Sequence, residues 1–173
     1  PSQGQSPSQS QQGPGPTGDK NRVTGLAALR SAYLHAEANK PQKVLVTGHT
    51  DRSGSDAYNL GLSEQRADNV LHLLLGNRAE WVKVSDKKHQ VEDVQQILKW
   101  TAGAMGWDCD PGKVDNVAGP KTSGATKKFQ IAYNAAVAKT PAEWPEGGKI
   151  AEDGVVGPKT WGAFYDVYVH ELA

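Results

Sequence analysis

The sequence predicts an α+β chain: a partial β/α sandwich followed by a small three-helix module with an internal turn-helix repeat. Three observations carry this. Val44-Leu45-Val46 is a short continuous apolar run, the pattern of a strand covered on both faces. Apolar residues recur at three- and four-residue spacing in several longer stretches, the period of amphipathic helices. The segment 115–125 recurs as 153–163, and each copy precedes a helical stretch.

In chain order, residues 1–19 read as a disordered tether. They are dominated by Gln, Ser, Gly and Pro, which bury too little apolar surface to offset chain entropy. From Asn21 to Asn39, Val23, Leu26, Leu29, Ala32, Tyr33 and Ala36 mark a helix that Pro41 stops. The strand at 44–46 follows, then a polar loop from His49 to Asn59. Ser63 is a favourable N-cap for a helix whose stripe is Ala67, Val70, Leu71 and Leu74, ending before Gly76. Glu80 to Lys88 fits a short helix or a strand, and helix is preferred. A helix from Val91 to about Met105 turns Val94, Ile97, Leu98 and Thr101 inward. In the repeat, Gly119-Pro120-Lys121-Thr122 and Gly157-Pro158-Lys159-Thr160 make tight turns that prime helix starts. The helices that follow carry Ala125, Phe129 and Ala132, and Trp161, Phe164 and Tyr168. Residues 140–149, rich in Pro, Gly and Glu, form an elaborated loop between them. The domains are therefore the tether at 1–19, a first domain at 20–88 and the helical module at 89–173.

The 19 basic and 19 acidic residues balance, so no field favours nucleic acid or an anionic membrane. There is no apolar run of spanning length and no signal-peptide pattern at the start. The single Cys109 forms no internal disulfide and reads as a packed small hydrophobe. The histidines lack metal-ligand spacing, and Asp108 to Asn116 reads as a turn because its glycine is misplaced for an EF-hand loop. No cofactor, metal ligand or catalytic residue is assigned. Trp161, Phe164, Phe129 and Tyr133 read as core; Trp100, Trp107 and Trp144 are the candidates for exposed aromatic contact.

The segment 44–67 places Asp51 beyond the strand and Arg66 in the first turn of the next helix. A fixed carboxylate facing a fixed guanidinium suits a zwitterionic ligand: an Arg fork matches a carboxylate and an Asp accepts from an ammonium. The plainer alternative is that Arg66 pairs with Glu64, Asp51 or Asp68. His49 reads as a loop brace.

Gly48-His49-Thr50-Asp51, Gly54, Tyr58-Asn59, Leu62-Ser63 and Arg66-Ala67 give the segment 44–75 its resemblance to the OmpA-like C-terminal domain. The resemblance implies binding of peptidoglycan through the meso-diaminopimelate of its stem peptide. Asp51 would hold the free ammonium, Arg66 the free carboxylate, and Asn59 would support them. Thr50, Tyr58 and Leu62 complete the implied ligand-binding set. Residues 91–172 resemble the small three-helix peptidoglycan-binding domain found beside cell-wall hydrolases, on Asp153-Gly154-Val155-Val156-Gly157-Pro158-Lys159-Thr160-Trp161 and on Val117 to Thr122 with Phe129-Gln130. Two departures stand out. The opening strand and the closing Asn-Arg-Arg segment of an OmpA-like domain are missing, so the chain reads as part of a larger envelope protein or as a sheet completed by another chain. The resemblances imply a non-catalytic wall-binding protein of the periplasm, associated with the outer membrane. Rival readings are the targeting part of a cell-wall hydrolase and a protein-interaction scaffold of a secretion apparatus.

Overall fold

The computed structural model describes residues 25–39, 44–48 and 55–172, apart from the side chains of residues 25–27, 37 and 58. The tether lies outside the described residues. The elements, in order, are α1 (Gly25–Ala38), α2 (Asp56–Leu74), α3 (Arg78–Lys88), α4 (Val91–Met105), α5 (Pro120–Lys139), a short 3₁₀ turn at Pro141–Glu143, and α6 (Pro158–Leu172).

The α+β expectation is corrected: the described residues are helical and contain no strand or sheet. Residues 44–48 have no regular hydrogen-bonded structure, and Val44 and Leu45 are exposed, Leu45 by 86%. A strand exists only through a ladder with a neighbour, and no described segment supplies one. Composition alone therefore misled, because a continuous apolar run says nothing of whether a partner strand is there.

The helix boundaries follow local chemistry. Asn77 caps α3 by accepting the Glu80 N–H at 3.4 Å, and Lys87 and Lys88 sit favourably in its last turn. In α4 the Asp93 carboxylate accepts the Gln90 N–H at 2.7 Å, half of a capping box. Gly106, at φ 67°, ends α4 in the left-handed conformation that glycine adopts without a Cβ penalty. Pro120 and Pro158 open α5 and α6, where a missing N–H costs nothing. Between α2 and α3, Asn77 N donates to His72 O at 2.8 Å and Gly76 N to Leu73 O at 3.3 Å. This is the paired closure of a Schellman motif, and it fixes the turn between the two helices.

The core belongs to α3–α6. Leu98, Phe129, Tyr133, Phe164 and Val167 are fully buried, with Trp81, Val94, Ile97 and Trp161 around them. Phe129 meets Phe164 at 4.5 Å between ring centroids and Trp107 at 5.7 Å. Cys109 is buried in this core, as expected, its thiol 3.5 Å from Leu98 O. Burial, with Asp108 and Asp110 adding, pushes that thiol up to about 11, so it is protonated and inert at neutral pH. In contrast, no described side chain of α1 or α2 is buried. The α2 stripe Ala67, Val70 and Leu74 is half-covered and Leu71 is exposed.

Candidate functional site

Only part of the sequence-predicted site falls on described residues. Thr50 and Asp51 lie outside them, as does His49. Arg66, Asn59, Leu62 and the backbone of Tyr58 all lie on α2. The helix starts at Asp56, not after Ser63, so two expectations are corrected. Ser63 is not an N-cap: its hydroxyl donates back to Leu60 O at 2.8 Å inside the helix. Arg66 is not in the first turn but in the third, where the helix dipole no longer opposes a cation. Capping sequence at 63 was legible; the earlier helical start, with Asp56 as a first-turn acid, competes with it and wins.

Asn59 is half-buried in the first turn, its N–H bonded to Ser55 O at 2.9 Å. Leu62 is half-buried one turn on, and Arg66 projects from an exposed position. Asn59, Leu62 and Arg66 are spaced three and four apart and share a face of α2. Gly48 sits directly against this helix: a Cβ there would overlap the backbone carbonyl of Ser63. That close approach explains glycine at 48 and seats the end of 44–48 one helical turn from Arg66.

The helical module holds a second arrangement that the sequence reading missed. Each repeat turn is clamped by a buried glutamine from the preceding helix. Gln95 Oε1 accepts from Asp115 N and Asn116 N at 3.0 Å each. Gln95 Nε2 faces Asp115 Oδ1 at 2.9 Å, Val117 O at 3.2 Å and Thr122 Oγ1 at 3.0 Å. Gln130 repeats this on the second turn, accepting from Gly154 N at 2.8 Å and facing Asp153 Oδ1, Val155 O and Thr160 Oγ1 at 3.2, 2.9 and 3.2 Å. Thr122 and Thr160 donate in turn to Val117 O and Val155 O at 3.1 and 3.0 Å. Even the backbone repeats: Asn116 and Gly154 are both left-handed, at φ 59° and 76°. The signal was available as an apolar-Gln pair, Val94-Gln95 and Phe129-Gln130, ahead of each copy.

Beside these turns lies a groove of about 490 Å³, whose lining includes His89, Val94, Pro120, Thr122, Thr126 and Val156. Trp144 is not an exposed platform, as the sequence suggested. It is 3% exposed and stacks on His170 at 4.5 Å. Trp100 and Trp107 are half-buried against Tyr168 and Phe129. Trp144 is carried on the loop 140–152, which Asn134 pins by exchanging two hydrogen bonds with Ile150 at 2.9 Å. Trp161, Phe164, Phe129 and Tyr133 are core, as predicted. In the 108–116 turn the carboxylates have other tasks: Asp108 pairs with Lys128 at 2.8 Å and Asp110 accepts the Gly112 N–H at 2.7 Å. Among the described residues no three His, Cys, Asp or Glu side chains gather as a metal site. No helix among them is long and apolar enough to cross a membrane.

Comparison with known proteins bears on the first of these two regions. Over 63 residues, 35% of this chain, it is 44% identical to outer membrane protein A of Escherichia fergusonii, and the match spans 26% of that protein. Outer membrane protein A of Escherichia coli O157:H7 is likewise 44% identical over 63 residues, 18% of its length. Outer membrane protein P5 of Haemophilus influenzae is 52% identical over 44 residues, 25% of this chain and 12% of that protein. The chain thus covers about a quarter or less of the curated relatives it matches. No solved structure matches it significantly. The OmpA family model matches residues 24–91, so an OmpA-family domain occupies the stretch from α1 to the start of α4.

Proposed function

We propose that this chain is a non-catalytic peptidoglycan-binding part of a larger envelope protein, and that it anchors that protein to the wall. The observation that carries the reading is the OmpA-family match over 24–91, which contains the whole Gly48-to-Ala67 motif. Its ligand is the diaminopimelate of a stem peptide. Arg66 takes the free carboxylate in a bidentate fork and Asp51 takes the ammonium. Asn59, Thr50, Tyr58 and Leu62 complete the proposed binding set.

Placement on α2 supports this. Asn59, Leu62 and Arg66 share one face, and Gly48 is seated against Ser63 on the same helix. A stem peptide with lysine in place of diaminopimelate lacks the side-chain carboxylate that the Arg66 fork would take, which is the basis for discrimination. The helical module adds a second wall contact, for which the groove beside the repeat turns is the available surface. Linking two weak contacts raises the overall affinity where both can engage one sacculus.

Co-sedimentation with purified diaminopimelate-type sacculi tests the reading. The chain is expected to pellet with sacculi, and Asp51→Ala and Arg66→Ala to remain largely in the supernatant. Equal pelleting of both variants with the wild type would place the contact elsewhere.

A further inference from the structure

The matched stretch ends beyond α3, yet α3 is built into the helical module. Its inward residues are Arg78, Trp81 and Ser85, spaced as one face of a helix, with His89 capping its end. Trp81 meets Trp161, Tyr165 and Tyr168 of α6 at 5.9, 5.5 and 6.0 Å between ring centroids. His89 lies 4.9 Å from the Trp161 ring. At the other end, Arg78 forks onto Asp166: Nε to Oδ1 at 2.7 Å and Nη2 to Oδ2 at 3.0 Å. Tyr133 of α5 donates to the same Oδ2 at 2.6 Å. Asp166 is thus a buried carboxylate held from two other helices at once. Gly162 makes room, because a Cβ there would run into the Arg78 guanidinium. Independently, Arg30 of α1 donates to Leu172 O at the end of α6 at 3.2 Å.

These contacts make α6 a common brace for α1, α3 and the module. The α2–α3 turn is fixed by its Schellman closure, so what holds α3 also orients α2. We propose that Arg78, Asp166 and Tyr133 form a latch through which the last helix of the module holds the OmpA-matched stretch in one orientation. They are positioning residues for the α2 face that carries Arg66. The consequence for wall binding rests on the function proposed above: the two wall contacts sit at a fixed separation instead of swinging on a linker. The latch itself does not depend on that reading. A flexible connection at residue 88 or 89 would leave α3 free of α6. An arginine fork onto a buried carboxylate instead fixes both distance and direction.

Hydrogen exchange on the full chain decides it, in the wild type and in Asp166→Asn, Arg78→Lys and Tyr133→Phe. The readout is exchange of α2 and α3 amides relative to that of α4 and α5 amides. Asp166→Asn is expected to raise this ratio at least tenfold, Arg78→Lys severalfold and Tyr133→Phe less. An unchanged ratio, whether from equal loss of protection everywhere or from no loss at all, would overturn the latch. If Asp166→Asn fails to fold, the other two variants decide by the same ratio. In parallel, Asp166→Asn should bind diaminopimelate-type sacculi severalfold more weakly than the wild type. A wild type that does not bind sacculi overturns the wall reading alone, and the exchange ratios still judge the latch.

Discussion

Gln95 and Gln130 each use both the oxygen and the nitrogen of a buried amide to hold a loop they do not belong to. Such an amide is favourable only while it is fully paired, since the groups left behind carry the desolvation cost. Gln130→Ala should therefore lower stability by about 1–3 kcal/mol in thermal or urea unfolding. Gln130→Glu should lower it further, because it sets a second carboxylate against Asp153. The same clusters predict acid sensitivity. Asp115 is held below the usual carboxylate range mainly by the Gln95 amide and then by the Val117 N–H. Asp153 is held low mainly by the Val155 N–H and then by Gln130. Both are lower folded than unfolded, so their contribution is present above the unfolded value of roughly 4 and is lost as pH falls through the folded value. The thermal midpoint should drop as pH goes below about 4. Replacing both aspartates by asparagine should flatten that dependence, and an unaltered profile would show that other carboxylates cause it.

At the scale of elements, α3 is the piece whose role was hardest to read. Trp81, Val82 and Val84 fit either period, and the preference for helix holds because Asn77 and Glu80 supply a start and Lys87 and Lys88 an end. Nothing local says which neighbour the helix packs on; that is decided by Trp161, Tyr165 and Asp166, some eighty residues away. The later helices were legible from their apolar stripes, with Gly-Pro turns opening α5 and α6 as expected and α4 spanning Val91–Met105. The start of α2 was not, since Ser63 offers a cap signature that a helix already under way ignores. The sheet was misread because pairing is a property of two segments and Val44 to Val46 is only one. Trp81 being a buried anchor, Trp81→Ala should cost about 3–5 kcal/mol, measured by denaturant unfolding. A loss below 1 kcal/mol would mean that α3 contributes little to the core.

On the scale of the whole molecule, the buried core and the family match meet, among the described residues, only in α3. The described core is in α3–α6, whereas the OmpA-family match covers 24–91 and the residues proposed for binding lie on α2 or just before it. The stretch from α1 to α2 thus has little core of its own among the described residues, and under the proposals above the packed module carries and orients it. Of the proposed site, the residue types and their order were legible from sequence. Their arrangement was legible only for α2, where helix periodicity fixes which residues share a face. The proposed wall binding depends on recognition of diaminopimelate, and calorimetric titration tests that most directly. A soluble diaminopimelate muropeptide and its lysine counterpart would each be titrated into the wild type, Asp51→Ala and Arg66→Ala. The prediction is binding of the diaminopimelate ligand by the wild type only. Equal binding of both muropeptides, or none by a well-folded chain, would contradict it.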